Sequence, residues 1–280
     1  AKEKGYFEKE GLDVEIVQPP EDGADALVAS GKAQFGVSFQ DSMAPGVAGD
    51  NALPNTAVAA LIQHNTSGII SRKGEGMERP KGLEGKKYAT WDAPIEKAMM
   101  QNVVEKDGGD FSKVELIPST VTDEVSALKS KSVDAIWIFY AWAGVATEVA
   151  NLETDYFAFK DINPVFDYYT PVVIANNDFL EEKPDTAKAF LRALKQGYED
   201  AIVDPDEAAS ILLEASPELD EELVKASQEY LKDQYKADVK QWGYIDPARW
   251  NAFYGWLNEN GLSEAELPEN AGFSNDYLPE

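Results

Sequence analysis

Through the first 170 residues, short β-rich runs alternate with helical stretches and turn signals. This alternation narrows the possible fold more than any other feature of the chain. Gly11 closes an opening helix, and Asp13-Val14-Glu15-Ile16-Val17 then alternates as a half-buried strand until Pro19-Pro20 stops it. A short helix over 24–29, a strand over 35–39, a short helix over 40–47 and extended apolar segments over 57–62 and 68–71 complete a first run, at the spacing of parallel α/β units. From Arg79 the cycle restarts. The pattern predicts a strand over 87–90, a helix over 94–106 stopped by Gly108-Gly109, a strand over 114–117, a helix over 122–131 and a buried strand over 133–140 that feeds a helix to about Ala150. Further strands are expected over 156–159 and 169–175. Thr120, three residues before Asp123, has capping-box spacing, and Asp92 reads as the N-cap of the helix over 94–106. Glu96 falls in the first turn of that helix, where the helix dipole alone favours an acid.

Beyond Asn176 the pattern turns wholly helical. Asp204-Pro205 and Asp246-Pro247 each pair a capping aspartate with a proline suited to the first helical position. Trp250, Phe253, Trp256 and Leu257 share one face of the last strong helix, and Gly261 closes it. Residues 171–280 hold 24 acids against 9 bases, which reads as a solvated outer helical layer rather than an acidic docking site. The fold expected is therefore α/β with two lobes: 1–72 joined with 173–280, and 73–172. The chain would cross between them within 67–73 and 168–176, leaving a cleft at the hinge and a helical C-terminal part.

Composition removes whole classes of function. Lys and Arg total 25 against 51 Asp and Glu, a net charge of −26, which repels phosphate backbones and anionic lipid, so no nucleic-acid partner and no membrane-surface partner is expected. Cysteine is absent, which excludes disulfides, thiolate metal sites and a cysteine nucleophile, and the lone His64 excludes a multi-histidine metal site. The longest strongly apolar stretch, 135–147, is too short to cross a bilayer. The chain opens at Ala1 already inside a helix, with no strand and no signal peptide before it, which suggests an internal start. No phosphate-loop, dinucleotide, zinc-protease or nucleophile-elbow motif is present, so no cofactor, no metal and no catalytic residue is assigned.

In open α/β sheets ligands bind beyond the carboxyl ends of the strands. The residues that follow the expected strands are Phe39-Gln40-Asp41, Gln63-His64-Asn65-Thr66, Trp91-Asp92-Ala93-Pro94-Ile95-Glu96, Phe139-Tyr140-Ala141-Trp142 and Asp167-Tyr168-Tyr169. Rings beside amide and carboxylate acceptors suit a small, flat, nitrogen-bearing ligand, with ring faces sandwiching it and acceptors taking its amino hydrogens. Trp137 and Phe139 read as core, along with Trp250, Phe253 and Trp256. Of the four arginines, Arg72, Arg79, Arg192 and Arg249, none stands at an expected strand end, which disfavours an anionic ligand.

The opening Ala1-Lys2-Glu3-Lys4-Gly5-Tyr6-Phe7-Glu8-Lys9-Glu10-Gly11-Leu12, the Gln63-His64-Asn65-Thr66-Ser67-Gly68 segment, Thr90-Trp91-Asp92-Ala93-Pro94-Ile95-Glu96, Trp137-Ile138-Phe139-Tyr140-Ala141-Trp142 and Trp242-Gly243-Tyr244-Ile245-Asp246 together resemble the type II solute-binding proteins of ABC importers. The likeness is strongest to the ThiY-type branch, which captures formylaminopyrimidine precursors of thiamine. It implies two lobes of the type II periplasmic-binding-protein fold closing on a pyrimidine. The ligand-binding positions it points to are Phe39, Gln40, His64, Trp91, Glu96, Tyr140, Trp142 and Tyr168. It also implies a monomer, outside the cytoplasm (in a periplasm or lipid-anchored at the outer face of the cell membrane), that delivers its ligand to an ABC permease. Members of that branch carry a first strand and a Trp-Thr-Pro-Asn-like ligand loop ahead of the residue matching Ala1, so the first strand of the first lobe is expected to be missing here. The alternatives are capture of another small solute (a sulfonate, nitrate or a riboflavin precursor), or a pyrimidine synthase-like enzyme. The enzyme depends on a cysteine-rich motif that a chain without cysteine lacks.

Overall fold

The computed structural model describes residues 1–20 and 23–279. Its strands are β1 (Phe35–Ser38), β2 (Asn55–Ala60), β3 (Ser67–Arg72), β4 (Lys87–Thr90), β5 (Glu115–Pro118), β6 (Ala135–Phe139), β7 (Thr154–Ala158) and β8 (Val172–Asn176). They form two sheets, in the orders β1-β8-β2 and β5-β4-β6-β3-β7. The chain divides into two compact units. The first comprises Ala1–His64, Tyr168–Pro217 and Gln228–Glu280, and the second Asn65–Asp167 with Glu218–Ser227. The changeovers at His64 and Asp167 lie earlier in the chain than the expected 67–73 and 168–176. The reason for the first is that all six residues of β3 are buried and four of them, Gly68 to Ser71, pair on both edges, with β6 and with β7, so this strand belongs entirely to the second sheet.

In the first unit β8 returns between β1 and β2 and pairs antiparallel with both. The expected parallel run is thus not formed there, because the chain closes that sheet only on its way back from the second unit. The apolar residues of β2 and β8 meet the helices Asn177–Glu182 and Pro184–Val203 in a core that includes Val58, Leu61, Val173, Leu180, Leu191 and Trp242. Trp250, Phe253, Trp256 and Leu257 are all buried on the helix Pro247–Glu259, as their shared face predicts. Asp246 caps this helix by accepting from the Arg249 amide, and Asp204 caps Pro205–Ala215 through Glu207. Residues 13–17 form no strand. They have the alternation but no ladder partner among the described residues, and Ile16 is 73% exposed.

The second unit follows the parallel plan more closely. β4 pairs parallel with β5 and with β6, so three strands end at the same edge of the sheet. The helix Pro94–Lys106 spans the predicted range, and Met99, Met100, Val103 and Val104 are buried on it. At the close approach of β3 to β7, Gly68 is required, since a Cβ there would collide with the Phe157 carbonyl oxygen. Two caps differ from expectation. Asp123 itself caps Glu124–Ser130 through the Ser126 amide, with no part for Thr120. Asp92 adopts a left-handed backbone (φ 61°) one residue ahead of the cap position, which Ala93 occupies.

Candidate functional site

The parallel strand ends of the second unit carry the most exposed rings of the fold. β4 runs into Trp91, whose amide donates to both carboxylate oxygens of Glu96 at 3.2 and 3.1 Å. Glu96 is buried and also accepts from the Tyr88 hydroxyl at 2.6 Å, the Thr90 hydroxyl at 3.1 Å and the Ala93 amide at 3.3 Å. This carboxylate therefore serves as the post around which the Trp91–Ala93 corner is wound. Burial, with the Glu96 charge beside it, pushes the Tyr88 phenol well above its ordinary value. Lys97 pairs with Asp92 at 2.7 Å on the outer side of the corner.

β6 ends in Phe139 and passes directly into a wide, five-residue π turn, Tyr140–Gly144, before the helix Val145–Val149. The turn frees the Ala141 carbonyl, which accepts from the Ser227 hydroxyl. Tyr140 folds back over Gly144, where any Cβ would strike its ring. It lies 4.8 Å from the Tyr156 ring and donates to Glu148.

Around these ends lies a concavity of about 180 Å³. Its wall includes Trp91, Trp137, Phe139 and Trp142, with Ser119, Val121 and Glu124 contributed by the segment after β5. Trp91, Phe139 and Trp142 are 49%, 38% and 43% exposed. Rings of this size left to water at the end of a parallel sheet are costly unless something covers them, and their faces suit a flat, electron-poor ring. Trp137 is buried behind them, 5.6 Å from Trp91 and 4.2 Å from Phe159, and its indole N–H has no partner among the described residues. Glu124 is half-buried and the one charged group in the wall.

Three of the four strand-end positions expected in the first unit, Gln40, His64 and Tyr168, are committed to their own fold. Gln40 is fully buried, donating to the Trp250 carbonyl at 2.9 Å and accepting from the Tyr169 amide at 2.9 Å. Tyr168 is buried and stacked on Phe253 at 4.1 Å. His64 receives Arg249 Nη1 at 2.8 Å on Nδ1 and lies 3.0 Å from Asp238 through Nε2. An arginine cannot accept a hydrogen bond, so Nδ1 is the accepting nitrogen and the ring proton sits on Nε2, directed at Asp238. That bond holds the Asp238 carboxyl below its usual range. Arg249 also stacks 4.2 Å over the Tyr169 ring and donates to the Tyr169 hydroxyl and Gln63. The helix Pro247–Glu259 thus carries an arginine to the end of β2, contrary to the expectation that no arginine stands at a strand end; sequence distance hid the approach. Phe39 is 40% exposed at the end of β1.

Of the eight sequence-predicted positions, Trp91 and Trp142 share the concavity. Glu96 and Tyr140 support its rim from outside, and Phe39, Gln40, His64 and Tyr168 lie in the first unit. Sequence reasoning missed Trp137 and Phe139, assigned to core. Their i, i+2 spacing at the end of β6 already put both on one sheet face. It missed Ser119, Val121 and Glu124 because the segment after β5 carries no aromatic ring or side-chain amide. It also passed over Asp41, whose Oδ1 is enclosed without a partner among the described residues. Burial raises this carboxyl to about 6, against the lowering pull of the Ser42 and Asp41 amides and the Tyr168 hydroxyl. No described helix is long and apolar enough to cross a membrane, and the described residues hold no acid or histidine cluster suited to a metal ion.

Comparison with known proteins places this geometry in context. A family model described as NMT1/THI5 like matches residues 1–208. A formylaminopyrimidine-binding protein of Halalkalibacterium halodurans is 29% identical over 98% of this chain and 84% of its own. The 4-amino-5-hydroxymethyl-2-methylpyrimidine phosphate synthase THI13 of Saccharomyces cerevisiae is 24% identical over 99% of this chain and 82% of its own. Among solved structures, a periplasmic sulfonate-binding protein of Methylobacillus flagellatus superposes with a TM-score of 0.67 at 17% identity, covering 97% of this chain and 82% of the other. At that identity the likeness speaks for the fold alone, which is the α/β periplasmic-binding-protein fold.

Proposed function

This chain belongs to the NMT1/THI5-like family, and from that premise we propose that it is the solute-binding component of an ABC importer and captures an aminopyrimidine precursor of thiamine. The observation that carries this reading is the ring-lined concavity at the carboxyl ends of β4, β5 and β6, built by Trp91, Trp137, Phe139 and Trp142. A pyrimidine stacked there would cover rings now exposed to water, and a ring pair contributes about 0.5–1.5 kcal/mol beyond its buried area. The 29% identity along nearly the whole chain to a formylaminopyrimidine-binding protein supports the same ligand class. The importer setting, with a membrane permease as partner and an extracytoplasmic location, is what the resemblance to ThiY-type solute-binding proteins implies. On this reading the protein is a monomer, performs no chemistry and needs no cofactor.

Calorimetric titration with 4-amino-5-hydroxymethyl-2-methylpyrimidine and its N-formylamino analogue tests the proposal. Saturable binding is expected, weakened about tenfold or more by Trp142→Ala, which removes one stacking face. Absence of heat with both pyrimidines, alongside binding of an alkanesulfonate, would move the reading to another solute. The similarity to the yeast synthase favours one second reading, a pyrimidine-forming enzyme. Release of a pyrimidine phosphate by the isolated protein supplied with pyridoxal phosphate would establish that reading instead.

A further inference from the structure

We propose that Glu124 sets the charge selectivity of the aromatic concavity, accepting the amino hydrogens of an unphosphorylated amino-heterocycle and turning away phosphorylated or sulfonated ligands; this deepens the preceding reading and rests on it.

The polar side-chain groups of the wall are the Ser119 hydroxyl, the Glu124 carboxylate and the indole N–H groups of Trp91, Trp137 and Trp142, and Glu124 alone is charged. Its carboxylate has no side-chain hydrogen bond or ion pair among the described residues. The other half- or fully buried acids of this unit are differently placed. Glu96 is saturated by Tyr88, Thr90, Trp91 and Ala93, and Asp134 is held by Arg72 and the Lys87 amide. Lys97 pairs with Asp92 and Lys131 with Glu75, while Lys129 acts on Asp123, the residue before Glu124. No side chain in the wall offsets the Glu124 charge.

The ring faces act in the same direction, since their quadrupoles are negative and attract electron-poor or cationic rings. An aminopyrimidine presents an exocyclic N–H beside a ring nitrogen that takes a proton readily. Together these match the two oxygens of a carboxylate as a guanidinium fork does. A phosphate or sulfonate on the same scaffold would bring a second negative charge into a partly dehydrated concavity that holds no cation.

The test is calorimetric titration of the native protein, Glu124→Gln and Glu124→Asp with 4-amino-5-hydroxymethyl-2-methylpyrimidine and with its monophosphate, each variant first checked for an unchanged melting temperature. The native protein is expected to prefer the free pyrimidine by tenfold or more. Glu124→Gln should weaken the free pyrimidine by about tenfold to a hundredfold, the worth of a charge-assisted hydrogen bond, and should narrow the preference. Glu124→Asp keeps the charge and should keep the rejection of the phosphate. Native binding of the pyrimidine with both affinities unmoved in Glu124→Gln overturns this inference and leaves the ligand assignment standing. Loss of phosphate rejection in Glu124→Asp to the extent seen in Glu124→Gln also overturns it. No binding of either compound by the native protein overturns both.

Discussion

Phe39 aside, the strands of the two units end in opposite chemistry. In the first unit Gln40, His64 and Tyr168 are held by Trp250, Tyr169, Arg249, Asp238 and Phe253, so their polar atoms and faces are already used. In the second, Trp91, Phe139 and Trp142 end their strands with a third to a half of each ring open. The same residue classes in the same topological position therefore divide into a framework and a receptive surface. What separates them is whether the chain itself supplies the partner. A group fully partnered by its own fold has to break bonds before it can bind anything else.

The largest expected effect tests the framework side. Gln40→Ala leaves the Trp250 carbonyl and Tyr169 amide unpaired in the interior, so unfolding in urea should show a loss of about 2–5 kcal/mol at unchanged slope. A loss below 0.5 kcal/mol would mean that this network is not the framework described here. Next comes Asp41. Its carboxyl stands at about 6 in the folded state against an ordinary 3.8, so the folded state binds the proton more tightly. The stability this contributes is present below about pH 4 and is lost as pH rises through 6. Asp41→Asn should therefore be more stable than the native protein at pH 8, by up to about 3 kcal/mol, with the gap closing toward pH 4. Melting temperatures measured across that range would show a constant difference if burial were not the cause. The smallest stability effect is expected on the receptive side. Phe139→Ala should cost about 1 kcal/mol or less while lowering pyrimidine affinity severalfold, and a large fall in melting temperature would class Phe139 with the framework instead.

Most of the second unit was legible in the sequence because its strands and helices follow one another locally. The helix 94–106 and the strand 87–90 need no distant partner to be recognised, and the aspartate–proline starts at 204 and 246 are equally local. What was not legible depends on chain return. The antiparallel insertion of β8, the delivery of Arg249 to His64 from 185 residues away and the stacking of Tyr168 on Phe253 leave no periodic trace. Asp13 to Val17 shows the converse: a correct strand pattern makes no strand when no neighbour offers it a ladder. At the site, Trp91 and Trp142 stood out as rings at strand ends, whereas Trp137 and Phe139 were hidden by a rule that is usually right, that rings on a strand are core. Glu124 was hidden because the segment after β5 carries no aromatic ring or side-chain amide to mark it as receptive.

The wide turn at Tyr140–Gly144 has a consequence for how such a receptor diversifies. A π turn amounts to one residue more than the regular helix requires, and removing it would swing the side chains on one side by about 100° relative to those on the other. Trp142 rides within that surplus, while β6 is anchored by its ladders to β3 and β4. Loss of a single codon could therefore re-aim this indole and change the molecule recognised, while every hydrogen bond of the underlying sheet stayed in place.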